Sequence, residues 1–264
     1  TNNTVPALSN GQQVGTYELE PNTGKVIFKP NKNFYGTPDP IVVQVSDTDG
    51  KAHRARYQPT VTKVTPTSTN AESTGLQGQP QSGKPTFTPG DQAVPIDLDT
   101  PMTFENGQAT KTVQGVGEYK INSDGTITFT PEKQFVGTPD PVTVKRVDKN
   151  GTEVTATYKP TVTKVTPTGT GATSTGPQGV AQTGKPSFEG GDALVPIDES
   201  IDPVFDDGTK TKIIPNQGTY TIASDGTVTF TPEKQFVGTP DPVTVKRVDK
   251  NGTEVTATYK PTVT

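Results

Sequence analysis

The residue types that most often carry enzymatic chemistry are scarce in this sequence. Its 264 residues include a single histidine, His53, and no cysteine. General-base catalysis by histidine needs a partner group, and no nucleophile pattern accompanies His53. The absence of cysteine removes thiolate nucleophiles, disulfides and zinc–sulfur sites together. We interpret His53 as structural and predict no catalytic residue, no cofactor and no enzymatic activity.

Carboxylates form the second group that could do chemistry, and they gather at two places in the chain. Calcium at a domain end is one interpretation, because this cation takes about six to eight oxygen ligands. The other is turn chemistry, in which an aspartate bonds its own backbone. The spacing matches no D-x-D-x-D-G loop, so we predict no metal site. The residues are Asp91, Asp97, Asp99, Asp192, Asp198, Glu199, Asp202, Asp206 and Asp207.

Two lysines, Lys84 and Lys185, occupy equivalent places in SGKPTF and TGKPSF. An intramolecular Lys–Asn crosslink would need an asparagine and a carboxylate in contact with each. No asparagine shares a position in both copies except Asn150 and Asn251, which we assign to turns. We therefore predict no crosslink.

Two basic pairs, Lys145-Arg146 and Lys246-Arg247, are interpreted as solvated strand ends. The stem of Arg146 falls on an apolar face and can cover it.

A repeat organises the chain. Residues Thr130–Thr163 return unchanged as Thr231–Thr264, an offset of 101 residues, and a looser copy ends at Thr62. Repeats of this kind predict tandem domains. We divide the chain into unit 1 (1–62), unit 2 (63–163) and unit 3 (164–264). Unit 1 is expected to be truncated at its N-terminus and to have an exposed sheet edge.

The composition narrows the class of protein. The formal net charge of −4 argues against a nucleic-acid footprint, which needs a basic face, and against docking on anionic lipid. No apolar run is long enough for a membrane span. Apolar residues fall in short alternating runs between abundant Gly (27) and Pro (26), which favours a folded β protein. With no signal peptide visible, we interpret the chain as a segment of a longer protein.

Two hairpins stand out in each later unit. In VTVKRVDKNGTEVTATYKPTVT, Asn150-Gly151 suits a type I′ turn with two positive φ values. In YKINSDGTITFTP, Tyr119 and Ile121 should face Ile127 and Phe129 around Asp124-Gly125. The returning strand of the first hairpin alternates, and one face carries Val154, Ala156, Tyr158, Pro160 and Val162.

Other positions give weaker signals. Pro160 indicates an edge strand or a gap in pairing, and Phe135 is expected to enter the core. Strands are predicted around Phe87 and Val94–Ile96, and around Phe188 and Leu194–Ile197. Residues 66–78 and 167–178 are either linkers or first strands.

Five to seven short antiparallel strands per unit predict an all-β fold of tandem β-sandwiches.

Two stretches of the sequence resemble a known family. VTPTGTGATSTGPQGVAQTGKPSFEGGD, followed by GTYTIASDGTVTFTPEKQFVGTPDPVTVKRVDKNGTEVTATYKPTVT, is similar to the repeats of CshA-type fibrillar adhesins of oral streptococci. The later half of each unit also resembles bacterial Ig-like or cadherin-like repeats. There a glycine-led strand leads into an F-x-G-T turn, here Phe135–Thr138 and Phe236–Thr239. The resemblance implies antiparallel Ig-like or cadherin-like sandwiches in an elongated array.

What the resemblance implies for function is a stalk. Such repeats would hold an adhesive N-terminal tip away from a Gram-positive cell wall, outside the cell. Fibronectin would then be bound by a tip region that this chain does not contain, and the chain, which has no L-P-x-T-G sorting motif, would be a monomer contacting neighbouring repeats. The alternative is a repeated, multivalent binding module in which strand edges or GTPDP loops capture a host matrix protein or another microbe. An exposed aromatic cluster on each unit would favour that alternative, but Tyr119, Phe129, Phe135 and Tyr158 lie on predicted core faces.

Overall fold

The structure, a computed structural model, describes residues 3–264 and is all-β over that range, as predicted. Residues 1 and 2 of unit 1 lie outside the described part. Between residues 3 and 264 there is no helix. Unit 1 contains β1 (Thr4–Ser9), β2 (Gln12–Leu19), β3 (Val26–Pro30), β4 (Ile41–Ser46) and β5 (Ala52–Tyr57).

Unit 2 contains ten strands arranged in two four-stranded sheets and a short pair. They are β6 (Thr67–Thr69), β7 (Ala71–Leu76), β8 (Gln81–Gly83), β9 (Thr86–Thr88), β10 (Thr103–Phe104), β11 (Thr110–Val113), β12 (Gly117–Ile121), β13 (Ile127–Pro131), β14 (Val142–Val147) and β15 (Glu153–Thr163). The sheet orders are β10-β14-β15-β7 and β11-β12-β13-β8, and β6 pairs with β9.

Unit 3 repeats this topology. Its strands are β16 (Thr168–Thr170), β17 (Ala172–Gly176), β18 (Gln182–Gly184), β19 (Ser187–Glu189), β20 (Val204–Phe205), β21 (Thr211–Ile214), β22 (Gly218–Ile222), β23 (Val228–Pro232), β24 (Val243–Val248) and β25 (Glu254–Val263). The sheet orders are β17-β25-β24-β20 and β18-β23-β22-β21.

The core of unit 2 lies between its two four-stranded sheets, which makes the unit a sandwich. Tyr119 and Phe129 come from one sheet, and Val144 and Tyr158 come from the other. Alternation supplies these side chains, since every second residue of a strand faces the same layer. Aromatic packing adds to the burial: Tyr119 stacks on Phe129 with ring centroids 4.6 Å apart. Phe135 packs against this core while only partly buried, as expected.

One strand pair in each complete sandwich departs from the antiparallel pattern. Strand β7 pairs in parallel with β15, from Ala71 beside Tyr158 to Leu76 beside Thr163. Strand β17 pairs in the same way with β25. The stretches left open as linkers or first strands, 66–78 and 167–178, therefore contain first strands. Their apolar content is low, AESTGL in β7 and ATSTG in β17, and this is why no strand pattern identified them.

Unit 1 has the predicted open edges. Its strands form the sheets β1-β2-β3 and β4-β5. In the described part of unit 1 no strand covers the outer side of β3, β4 or β5, where units 2 and 3 place additional strands. Consequently Ala55 is exposed, whereas its counterpart Ala156 is buried. Truncation itself remains a prediction.

The predicted type I′ turn at Asn150-Gly151 is wrong. Only Gly151 has a positive φ, +82°, and Gly151 N–H donates to Asp148 O at 2.9 Å. The buried Asp148 carboxylate accepts the Asn150 and Thr152 N–H groups, both at 2.9 Å. This Asx geometry favours a type I turn followed by a left-handed glycine. Asn10-Gly11 does have two positive φ values, +50° and +79°, between β1 and β2.

Two strand predictions also need correction. Val94–Ile96 and Leu194–Ile197 contribute only isolated bridges, since Pro95 and Pro196 lack the N–H that a ladder needs.

Pro160 is not in an edge strand, because β15 is paired on both sides. On the side of β15 that faces β14, Pro160 lies in a gap in the pairing. The gap follows the last β14 pair, Val142 with Tyr158, and precedes the Gly137–Val162 bridge. The other predicted hairpin is confirmed, with Tyr119 opposite Phe129 and Ile121 opposite Ile127.

Candidate functional site: the terminal strand pair

His53 lies on an exposed strand. Its Nε2 is 2.9 Å from Asp47 Oδ2, and this hydrogen bond is the main reason that the pKa of Asp47 is lowered. His53 lines an open cleft of about 400 Å³ along β5, and its contact with Asp47 is a surface pair beside the turn between β4 and β5. The arrangement offers no nucleophile for a general base to activate.

The clustered carboxylates have turn and ion-pair partners. Asp91 and Asp192 accept backbone N–H groups two residues ahead, at 2.8 and 2.9 Å. Within residues 3–264 no group of three His, Asp or Glu is placed to hold a metal ion. The remaining acids pair as Asp99–Lys149, Asp202–Lys210, Asp206–Lys212, Glu199–Arg247 and Asp207–Thr209.

Asp97 and Asp198 each hold two neighbouring segments together. The Lys149 ammonium, 2.9 Å away, and the Thr100 hydroxyl lower the pKa of Asp97 from 3.8 to about 2. The Ser200 hydroxyl and the Lys250 ammonium lower the pKa of Asp198 to about 2 in the same way. Each pair ties the loop before the short strand β10 or β20 to the tip of the long hairpin.

The basic residues lie in an open cleft or in ion pairs with neighbouring carboxylates. Lys84 lines a shallow cleft with Phe87, Asp124 and Arg146, and no asparagine lines that cleft. Lys145 reaches Glu153 across the strands at 3.2 Å. The solvated interpretation is wrong for Arg247, whose side chain is only 10% exposed and contacts Glu199 at 3.0 Å.

Strand β7 is joined to β15, and β17 to β25, by a partly buried polar cluster. Tyr158 Oη lies 2.5 Å from Ser73 Oγ, which donates to Gln81 Oε1 at 2.6 Å. Gln81 Nε2 donates to Thr161 O at 3.2 Å, returning to the last strand. Ser174, Gln182 and Tyr259 repeat the cluster in unit 3. We call these groups the serine–tyrosine clusters.

Glycine makes room for each cluster. A Cβ on Gly83 would lie 2.6 Å from the Tyr158 ring, and one on Gly184 would lie 2.3 Å from the Tyr259 ring. Burial raises the pKa of Tyr158 above its ordinary value of 10.0, farther from neutral pH, where the hydroxyl is protonated and can donate. Sequence reasoning missed the clusters. A sequence signal for them did exist. Residues 73–75 and 174–176 both read S-T-G, and in both units a Q-x-G-K-P motif follows.

Comparison with known protein families identifies the class of protein. The sequence profile described as the surface adhesin CshA repetitive domain matches residues 1–61, 63–162 and 164–263. The chain therefore belongs to the CshA surface adhesin repeat family. The structure of repeat domain 13 of the fibrillar adhesin CshA from Streptococcus gordonii is 77% identical, covering 26% of this chain and 90% of its own, with a TM-score of 0.17.

Other solved structures align at low identity. The titin I9–I11 tandem is 12% identical, covering 100% of this chain and 95% of its own, with a TM-score of 0.38. Drosophila N-cadherin EC1–4 is 13% identical, covering 100% of this chain and 68% of its own, with a TM-score of 0.28. Among curated proteins no match was found.

Membership of a surface adhesin family implies an extracellular surface location. It also fits a structural, non-enzymatic chain. No helix able to cross a membrane occurs in the described range.

Proposed function

We propose that this chain is a stalk segment of a fibrillar adhesin that is anchored in a Gram-positive cell wall and projects an N-terminal adhesive tip. The observation that carries the proposal is the parallel pairing of β7 with β15 and of β17 with β25, in which an early strand of each unit lies beside its last strand. Because the two strands run the same way, the chain enters a repeat at one end and leaves it at the other. Repeats joined in this way add length with every copy.

The same pairing suits a segment under tension. Tension would pull the start of β7 and the end of β15 in opposite directions, along the strands. The six residue pairs between Ala71–Tyr158 and Leu76–Thr163 are then loaded in shear and resist together. Ser73 and Tyr158 add a side-chain bond across the same pair.

The partners of the segment follow from this role. Its contacts are with neighbouring repeats of the same chain, which functions as a monomer. Host fibronectin is bound through a tip region outside this chain, and no cofactor, metal, nucleic acid or enzymatic activity is involved.

Tyr35 in unit 1 is exposed, but the corresponding positions of units 2 and 3 are valines, so the described residues do not repeat an exposed aromatic on each unit, as the multivalent binding alternative would require. Tyr119, Phe129 and Tyr158 are fully buried, and Phe135 packs against them. Aromatic anchors of an interface would have to be exposed.

Single-molecule stretching between the two termini tests the stalk. The Gln77 N–H donates to Thr163 O, so by alternation the Ser73 N–H faces β15 and the Thr74 N–H faces outward. Ser73→Pro removes a bond of the pair, whereas Thr74→Pro removes a hydroxyl but no bond to β15. We expect two abrupt unfolding events in the wild type, one after Ser73→Pro, and two after Thr74→Pro.

Smooth extension of the wild-type chain would contradict the proposal. Equal effects of the two proline variants would also contradict it, because the parallel pair would not then be the resisting element.

A further inference from the structure

A turn at one end of unit 2 touches the next unit. Residues Gln77–Gln79, which we call the docking turn, follow β7 at the end where β15 leaves the sandwich. Residues 249–252, which we call the hairpin tip, connect β24 to β25 in unit 3. Asn251 Nδ2 donates to Gln77 O at 3.0 Å, and Gln134 Nε2 donates to Asn251 O.

Gln77 is held in place by its own repeat. Its N–H donates to Thr163 O at 2.8 Å, and its Nε2 donates to Lys133 O at 2.9 Å. Its Oε1 accepts the N–H of Val165, the second residue of unit 3, at 3.1 Å. The residue is only 3% exposed. A buried glutamine whose backbone N–H, side-chain nitrogen and side-chain oxygen are each hydrogen-bonded fixes the geometry of the chain at the junction.

Gly78 leaves the space that Asn251 occupies. Its φ is +78°, and a Cβ there would lie 1.9 Å from Asn251 Oδ1. Gly179, the corresponding residue of unit 3, has a φ of +75° and nothing within 4 Å of its Cβ position. An alanine would therefore strain the backbone to a similar extent at both glycines. Only at Gly78 would its Cβ also clash with a residue of the next unit, Asn251.

The hairpin tips offer a comparison in which the local sequence is constant. Asn150 and Asn251 lie in the identical 34-residue blocks. Asn251 is 5% exposed, whereas Asn150 is half-buried beside an open cleft of about 450 Å³. Gln79 of the docking turn donates from Nε2 to Leu194 O at 3.3 Å, and the next residue, Val195, is fully buried, whereas its counterpart Val94 is only half-buried. The difference comes from the neighbouring docking turn, because the tips themselves are the same.

We propose that the docking turn is a specific receptor for the Asn-Gly hairpin tip of the following repeat and fixes the relative orientation of the two repeats. The inference goes beyond the proposed stalk, since freely jointed repeats would also extend. It also assigns a surface to the Gln178–Gly179 turn, which is exposed and repeats the backbone bond to the last strand, Gln178 N–H to Thr264 O at 2.8 Å. That turn has the geometry to receive another Asn-Gly tip.

Spin-label distance measurements on the full chain test the docking. The sequence has no cysteine, so Lys120→Cys and Thr221→Cys provide two label sites on exposed strand positions of units 2 and 3. We expect one narrow distance distribution in the otherwise wild-type chain. Asn251→Ala should abolish the narrow distribution, and its matched control Asn150→Ala should preserve it. Gly78→Ala should broaden the distribution more than Gly179→Ala.

Two outcomes would overturn the proposal. A broad distribution in the unsubstituted chain would mean that the units are not fixed relative to each other. A narrow distribution that survives Asn251→Ala and Gly78→Ala would mean that the docking turn does not fix them. Circular dichroism of each variant establishes that the sandwiches remain folded, and loss of the narrow distribution in a folded Asn251→Ala chain supports the proposal.

Discussion

At the scale of single residues, small polar side chains decide which strands meet. Ser73 lies in a strand with few apolar residues, yet it connects the first strand to Tyr158 of the last one. A buried hydroxyl is stabilising when both partners are bonded, and leaving one unbonded is unfavourable. The serine–tyrosine cluster therefore fixes the register of the parallel pair.

Substitution of this serine should loosen β7. Ser73→Ala leaves the Tyr158 hydroxyl and the Gln81 carbonyl without their partner, a loss of about 1 kcal/mol or about fivefold in local opening. Amide hydrogen exchange of residues 71–76 measures that opening. Thr74→Ala on the exposed face is the control and should leave the exchange rates nearly unchanged. Equal rates in the two variants would show that the cluster does not stabilise the strand.

Acid should weaken the Asp97–Lys149 and Asp198–Lys250 ion pairs before it unfolds the sandwiches. The pKa of Asp97 is lowered from 3.8 to about 2, so the native state binds fewer protons than the unfolded state in that range. The contribution of Asp97 to stability is thus present above pH 3.8 and is lost as the pH falls towards 2. Asp198 behaves alike.

Thermal melts followed by circular dichroism measure this acid effect. The double variant Asp97→Asn/Asp198→Asn should show a smaller fall of Tm between pH 3.8 and about 2 than the wild type. Asp140→Asn, in the exposed GTPDP loop, is the control. An unchanged fall in the double variant would contradict the assignment.

At the scale of elements, the turns show where local sequence rules succeed and fail. Asp124-Gly125 gave the correct hairpin register. Asn150-Gly151 has the composition of a type I′ turn, but Asp148 enlarges the loop by accepting two backbone N–H groups. A dipeptide rule could not include that carboxylate.

The corrected turn makes a prediction of its own. Gly151→Ala forces an alanine into a left-handed conformation, which costs about 1–2 kcal/mol. Asn150→Ala should cost less, because Asn150 has no positive φ. Residue-resolved amide exchange across β14 and β15 distinguishes the two variants. Equal destabilisation by both would support the type I′ geometry instead.

At the scale of the whole molecule, periodicity predicted more than local composition did. The alternation of Val154, Ala156 and Tyr158 correctly placed the core face of β15. First strands β7 and β17 could not be assigned, because their partner lies more than 80 residues away along the chain. The contacts between units could not be predicted from the sequence either. Asn150 and Asn251 lie in identical blocks, so nothing in the sequence distinguishes their surroundings.

Small-angle X-ray scattering of the 264-residue chain in dilute buffer tests the central claim most directly. Three units in line, each adding roughly 33 Å for a strand of about 10 residues, should give a radius of gyration of about 30 Å. A single compact globule would give about 18 Å and an unfolded chain about 57 Å. A value near 30 Å is the predicted result, and a value near either of the other two would contradict an end-to-end stalk of folded repeats.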